Sequence, residues 1–461
     1  MRKKFFTNFF LFAMLILFAT FSLQAQNWLV NQSTMMHTNL SVELSAQKVK
    51  PYKDIYLVGI SKKADSLRYC FSLFRNNNIN VYNSFLSAND ITINDFTILG
   101  DTLYFCGNRQ MNLNQKMGIL GKFSMIDFMD DGNFNYDFLY LSNIDNLTKL
   151  VAFDSGVDTI SIVAIGHDTL NGLNPGRIVK LNFNANGSVI DCSKIDCPYI
   201  SNTHKEIMHD IYVSDQEVMT VSHIYPINRY IVRCFTKTHL GVNIGNTIYS
   251  FPNLDFNVSS EIYGFPLHLA NISKDTIAVS VSAREGTKNF TMVNFLKKNS
   301  TPVFRTHLIY HEDKSNEVLE MEYYPGYRDL LVLNNSYHSG YGMIQTMTHL
   351  SPDSTTDYLS LQDIFSSPNK LNHFSLIHRK RYAIAGVYPN SQGNDLQMIS
   401  VKEIHPLGNN CVNKYSKKIY QTILPDGNWN ASQLQYFPQQ FSWGYGTATN
   451  NGNTISVYCY D

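Results

Sequence analysis

Short apolar runs, each closed by a small or polar break, recur along most of the chain. Seven copies are present, Tyr56–Ile60, Leu103–Gly107, Ile160–Gly166, Val218–His223, Ile277–Ser282, Leu330–Asn335 and Tyr382–Val387, and their starts lie 47, 57, 58, 59, 53 and 52 residues apart. Runs this short, bounded by turn residues, predict strands rather than helices. The neighbours of each run repeat as well. Around the second copy, Asp95–Leu99, a turn at Gly100–Asp101–Thr102, Leu103–Gly107, Met117–Phe123, a turn at Asp130–Asn133 and Asn135–Leu141 predict four antiparallel strands. The third copy reads as Lys149–Phe153, Ile160–Gly166, Arg177–Phe183 and Ser188–Cys192, with Asn184–Gly187 as a hairpin turn. The first copy turns at Asn76–Asn78 and the fifth at Lys297–Ser300, while the fourth and seventh are less regular.

Composition agrees with strands and turns. Aromatic residues make up 13% of the chain and Asn fills 48 positions, and Asn tolerates the left-handed backbone of tight turns. A four-stranded unit repeated at this period resembles a β-propeller of seven four-stranded blades, with six or eight blades and a pair of β-sandwiches as the alternatives. The resemblance lies in general blade pattern alone: the Trp-Asp ending of WD40 blades, the kelch Gly pair and the Asp-box are absent. It implies a single all-β domain over 26–461, with innermost strands around a channel. Residues 27–50 and 425–461, Asn453–Tyr460 above all, are expected to supply the closing segments.

Ahead of the repeat, Arg2, Lys3 and Lys4 precede an almost unbroken apolar stretch from Phe5 to Phe21, and Ala25 follows. This is the layout of a secretory signal peptide over 1–25, so the expected product is exported to the periplasm, cell surface or medium. No later stretch of ~18 apolar residues suggests a membrane span. Over the whole chain Lys+Arg 37 balance Asp+Glu 37, which argues against a nucleic-acid partner. Of the seven cysteines, Cys192 with Cys197 and Cys411 with Cys459 are candidate disulfide pairs, whereas Cys70, Cys106 and Cys234 fall inside apolar patterns and read as buried thiols.

In a blade whose strands are A to D from the axis outward, the A–B and C–D connections read as short, the B–C and D–A connections as longer. Residues after or at the end of strand B would then share one face: Arg109, His167, His223 with Tyr225, Arg284, Tyr337 with His338, and Tyr388. Arg forks and Tyr rings suit an anionic or sugar-like ligand, so the expected activity is binding of a protein or glycan partner. The alternative is a polysaccharide lyase or hydrolase with a His/Arg site at the channel mouth. Nucleophile-elbow, phosphate-loop, dinucleotide and His-Glu-x-x-His motifs are absent, and no cofactor or metal is expected. His204 and His209 would point to opposite strand faces. The cluster Asp127, Asp130, Asp131, Asn133, Asn135 and Asp137 departs from the calcium-loop pattern and reads as a hairpin turn. Finally, Ser66, Thr102, Thr159, Thr169 and Thr276 each follow Asp and precede an aliphatic residue. The triplet resembles the O-glycan acceptor pattern of some exported Gram-negative bacterial proteins.

Overall fold

A strand covered on both faces reads as a continuous apolar run, and a strand covered on one face alternates. Both kinds occur side by side. In Thr159–His167 every residue from Ser161 to Gly166 is buried, whereas Phe134–Leu141 alternates buried with partly exposed positions over its first half. The recurring runs are therefore central strands of sheets stacked against other sheets. The computed structural model describes elements between residues 29 and 458. Residues 1–28, 39–43, 64–68, 76–80, 169–175, 197–204, 238–246, 252–260, 263–266, 298–302, 310–315, 351–354, 361–369, 403–416, 424–435 and 459–461, with some shorter connections, lie outside that description.

The described chain is nearly all β. Antiparallel units follow one another, and each recurring run is the second strand of its unit. The first strands are Leu44–Tyr52, Ile91–Leu99, Asn146–Gly156, Lys205–Val213, His268–Asn271, Asn316–Tyr324 and Lys370–His378. Each of these packs against the first strand of the next unit, and the last packs against the first, which closes a ring. In the last unit Leu29–Thr38 pairs beside Gly393–Lys402, and Asn453–Tyr458 pairs beside Leu29–Thr38. The first and last described strands thus meet in one sheet, while Leu44–Tyr52 belongs to the first unit instead.

Downstream of the last unit the chain runs along the outer edges. Lys417–Ile423 adds to Val303–Ile309, Tyr436–Pro438 adds to Val189–Asp196, and Phe441–Asn450 lies between Val81–Leu86 and Phe134–Leu141. An added strand satisfies backbone groups that an open edge would leave unpaired.

Between neighbouring units the core is apolar and rich in rings. Phe71, Phe96, Phe105, Phe123, Phe128 and Phe134 fill the space between the first two units. Phe123 stacks on Phe134 with centroids 4.0 Å apart and meets Phe71 edge-on at 4.9 Å. Each such ring contributes about 1.5–3 kcal/mol through burial. Glycine is required where a ring leans on the backbone: a Cβ on Gly121 would overlap Phe105.

Three expectations are corrected. The acidic cluster begins not as a plain hairpin turn but as a helix, α1, Met125–Asp131, with Ser124 as its N-cap and Gly132 in the left-handed region at φ 79°. Ser124 accepts from the Asp127 N–H at 3.4 Å, and Met125 and Phe128 are buried beneath it. Cys192 is a free, buried thiol within the strand Val189–Asp196, so the pairing with Cys197 fails. Its side chain packs with Leu181 and Phe183 in the core, and burial pushes its pKa up to about 12. The connections also do not divide into short and long by face. Second and third strands stand only two residues apart in Thr102–Asn112 and Gln115–Ser124, in Thr276–Glu285 and Lys288–Lys297, and in Arg381–Asn390 and Gly393–Lys402, while α1 occupies a C–D connection.

Candidate functional site

The first strands carry a feature that the apolar pattern hides. In six units the register between first and second strands slips by one residue, and the residues just past the slip are Lys48, Asp95, Lys149, Asp210, Glu320 and His373. A bulge re-aims the side chain that follows it. Lys48 ion-pairs with Asp95, whose other oxygen accepts the Leu150 N–H at 2.9 Å. Lys149 ion-pairs with Asp210 at 3.1 Å, and the other Asp210 oxygen accepts the Leu269 N–H at 2.8 Å. The parallel is close enough to place His268, just before Leu269, in the fifth unit's equivalent position. Asp95 and Asp210 therefore each tie together three consecutive units.

From Lys48 through Asp95 and Lys149 to Asp210 the charge alternates, so each of these buried charges faces one of opposite sign. Burial opposes the Lys149 ammonium, but Asp210, Asp95 and Glu320 together hold its pKa above the ordinary value. Lys48 goes the other way: burial dominates, Asp95 opposes it, and the like charges of Lys50 and Lys149 add to the lowering. Beside the ring, Glu206 accepts from Arg233 at 2.9 Å and from Ser222, all three buried. His209 and His223 lie with ring centroids 6.4 Å apart, and burial, with His223 and His268 alongside, brings the His209 pKa down to about 4. Among the described residues no group of three His, Cys, Asp or Glu is disposed to hold a metal ion.

The residues expected on one face do share one end of their units. Arg109 lies opposite Ile91, His167 opposite Asn146 and Tyr225 opposite Lys205, in each case where the first strand begins, and Arg284 lies opposite Glu261 in the short strand Glu261–Ile262, which pairs with the same second strand beyond His268–Asn271. Tyr337 and His338 close Asp329–His338 at the same end, and Tyr388 stands two residues before the end of Arg381–Asn390. His223 does not belong with them: opposite Ile207, it is buried in the core at 2% exposure. Nor is Arg109 a loop residue. It lies within Thr102–Asn112, ion-pairs with Asp90, donates to the Tyr140 hydroxyl and sits over the Phe138 and Tyr140 rings at 5.8 and 5.5 Å. His167 is half-buried; burial lowers its pKa against the opposing pull of Asp145 and Asp168.

No family model matches the chain, and no curated protein matches it. Among solved structures it is similar to the polysaccharide lyase Uly1, at 10% identity and a TM-score of 0.45, covering 78% of this chain and 90% of that one. A protein of unknown function from Dyadobacter fermentans DSM 18053 aligns at 9% identity and a TM-score of 0.33, covering 81% and 98%. A xylan β-1,4-xylosidase from Bacillus halodurans C-125 aligns at 9% identity and 0.31, covering 90% and 100%. Likeness this remote assigns no residue of this chain a role.

The candidate acceptors Thr102, Thr159 and Thr276 each open a second strand after a turn, and all three are half-buried. Ser66, Thr169, Cys197, Cys411, Cys459 and the stretch 1–25 lie outside the described residues. No helix among the described residues is long and apolar enough to cross a membrane. Sequence reasoning missed the inner ring, although a signal exists: each of Lys48, Asp95, Lys149, Asp210, His268, Glu320 and His373 stands 8 to 11 residues before its recurring run. A titratable residue at a near-constant offset in all seven copies marks a shared structural position.

Proposed function

We propose that the chain is an exported seven-bladed β-propeller whose blades are the seven units. It binds a protein or glycan partner through the end where the second strands finish. The closed ring of first strands and the repeated bulge support the blade count, since one bulge position per unit is what a rotationally repeated scaffold requires. One observation carries the binding reading: His167, Tyr225, Arg284, Tyr337, His338 and Tyr388 occupy equivalent ends of five different second strands. A rigid scaffold presenting Tyr, His and Arg at one end offers ring stacking and forked hydrogen bonds together.

The test takes the mature chain through a glycan array and an affinity capture against envelope proteins of its host, beside an Arg284→Ala/His338→Ala variant. We expect capture by the parent and at least a tenfold loss in the variant, equivalent to about 1.4 kcal/mol, with the melting temperature unchanged. Equal capture by both would refute the face. Release of new reducing or unsaturated ends from a captured polysaccharide would replace binding with catalysis.

A further inference from the structure

Residues 427–460 contain no Asp, Glu, Lys, Arg or His, and one strand in this uncharged stretch displays three aromatic side chains. In Phe441–Asn450, Phe441, Trp443 and Tyr445 alternate with Ser442, Gly444 and Gly446. At a rise of ~3.4 Å per residue, alternate side chains leave the same face about 6.8 Å apart. Phe441 is 38% exposed, Trp443 39% and Tyr445 75%. The opposite face is committed to packing. A Cβ on Gly444 would come within 2.6 Å of the Phe138 ring, and one on Gly446 would overlap Tyr136. Pairing sets Trp443 opposite Leu139 and Tyr445 opposite Asp137. A one-residue slip would drive the large rings into the sheet and turn the glycines outward, so the glycines hold the aromatic row toward solvent.

We propose that this row is a binding platform for a neutral polysaccharide, separate from the second-strand end. Contiguous exposed rings on a soluble surface mark an interaction site. Beyond them the same face continues with the exposed hydroxyls of Thr447 and Thr449, and Asn135 pairs with Thr447 across the strand. Flat rings receive the apolar faces of sugar rings, and the hydroxyls and amide meet sugar hydroxyls. The charge pattern selects the neutral class. The charged residue directly opposite the row is Asp137, itself paired with Lys122 one strand further in, so a polyanionic glycan or nucleic acid would meet no uncompensated cation at the row and none in this strand. A second copy of the chain is a poorer occupant. At ~150–250 Å² per buried aromatic side chain, the exposed fractions amount to on the order of 300 Å², short of the ~800 Å² per partner that a stable interface buries.

The experiment is affinity electrophoresis of the mature chain in gels containing glucomannan, laminarin or hydroxyethyl cellulose, with polygalacturonate as the anionic control. Retardation is expected in at least one neutral gel and not in polygalacturonate. Trp443→Ala and Tyr445→Ala should each weaken it about tenfold or more, while Arg284→Ala/His338→Ala leaves it unchanged. Tyr445 is the more exposed of the two, so Tyr445→Ala decides the matter if Trp443→Ala misfolds. Absence of retardation in every neutral gel, equal retardation of the Tyr445 variant, or binding to polygalacturonate alone would overturn the proposal. So would a concentration-dependent dimer that Tyr445→Ala abolishes.

Discussion

Replacing Asp95 with Asn would remove one charge from the inner ring and keep the oxygen that accepts the Leu150 N–H. The Lys48 ammonium would stay in place without its counter-ion, 15% exposed at the side chain against 3% for Asp95. Breaking a buried pair on one side costs about 3–5 kcal/mol, because it leaves an uncompensated buried charge. Unfolding entropy near ~2.1 cal/mol/K per residue, over about 430 residues, is roughly 0.9 kcal/mol/K. The expected drop in melting temperature is therefore about 3–6 °C by calorimetry at neutral pH. A pH dependence should accompany it. Burial already holds the Lys48 pKa below that of the unfolded chain, so the unfolded state binds more protons between the two values and stability rises with pH there. Losing Asp95 lowers the folded pKa further, and the gap between variant and parent should shrink as pH rises toward about 10. Lys48→Met combined with Asp95→Asn removes both charges and should recover most of the loss. A drop under about 1 °C in the single variant, or a double variant no better than the single, would refute the ring as an element of stability. Asp101→Asn is the control: Asp101 is exposed, pairs with Lys53 at 2.8 Å and accepts from the Tyr52 hydroxyl, which an Asn oxygen can still receive, and no resolvable change is expected.

Other outcomes follow from the same geometry. His209 is held neutral, its pKa down to about 4. Its contribution is whole above the unfolded value near ~6.5 and lost as pH falls from there toward 4, up to about 3 kcal/mol; His209→Gln should flatten that part of a melting-temperature profile. The Cys192 thiol, pushed up to about 12, should resist native alkylation at pH 8, and Cys197→Ser should leave the melting temperature unchanged; a loss on that substitution would restore the disulfide. Gly121→Ala should cost about 1–3 kcal/mol through overpacking against Phe105, read as a lower urea midpoint with unchanged far-ultraviolet dichroism.

Much of the repeat was legible because burial on both faces forces a continuous apolar run, and each of the seven runs lies in a second strand. Helix α1 was not read from the sequence: its caps are Ser124 and Gly132, but so short a segment between two strong strands read as a hairpin turn. The division of loops by length failed because how far a second strand such as Thr102–Asn112 or Thr276–Glu285 runs before the third begins depends on local strand register, which apolar pattern does not encode. His223 was misplaced for a related reason: a His at the end of an apolar run looks like a boundary, yet its strand continues two residues further to Tyr225.

By itself the sequence determined strand content, repeat period and the uncharged character of residues 427–460, since these are properties of neighbouring positions along one chain. Tertiary structure alone decided which charges meet. Lys48 and Asp95 are 47 positions apart, and Lys149 and Asp210 are 61 apart; only the closure of first strands into a ring brings them within ion-pair reach. It also decided that Phe441, Trp443 and Tyr445 face outward. That outcome depends on the rings of Tyr136, Phe138 and Tyr140, some 300 residues earlier in the chain, occupying the space that Gly444 and Gly446 leave open.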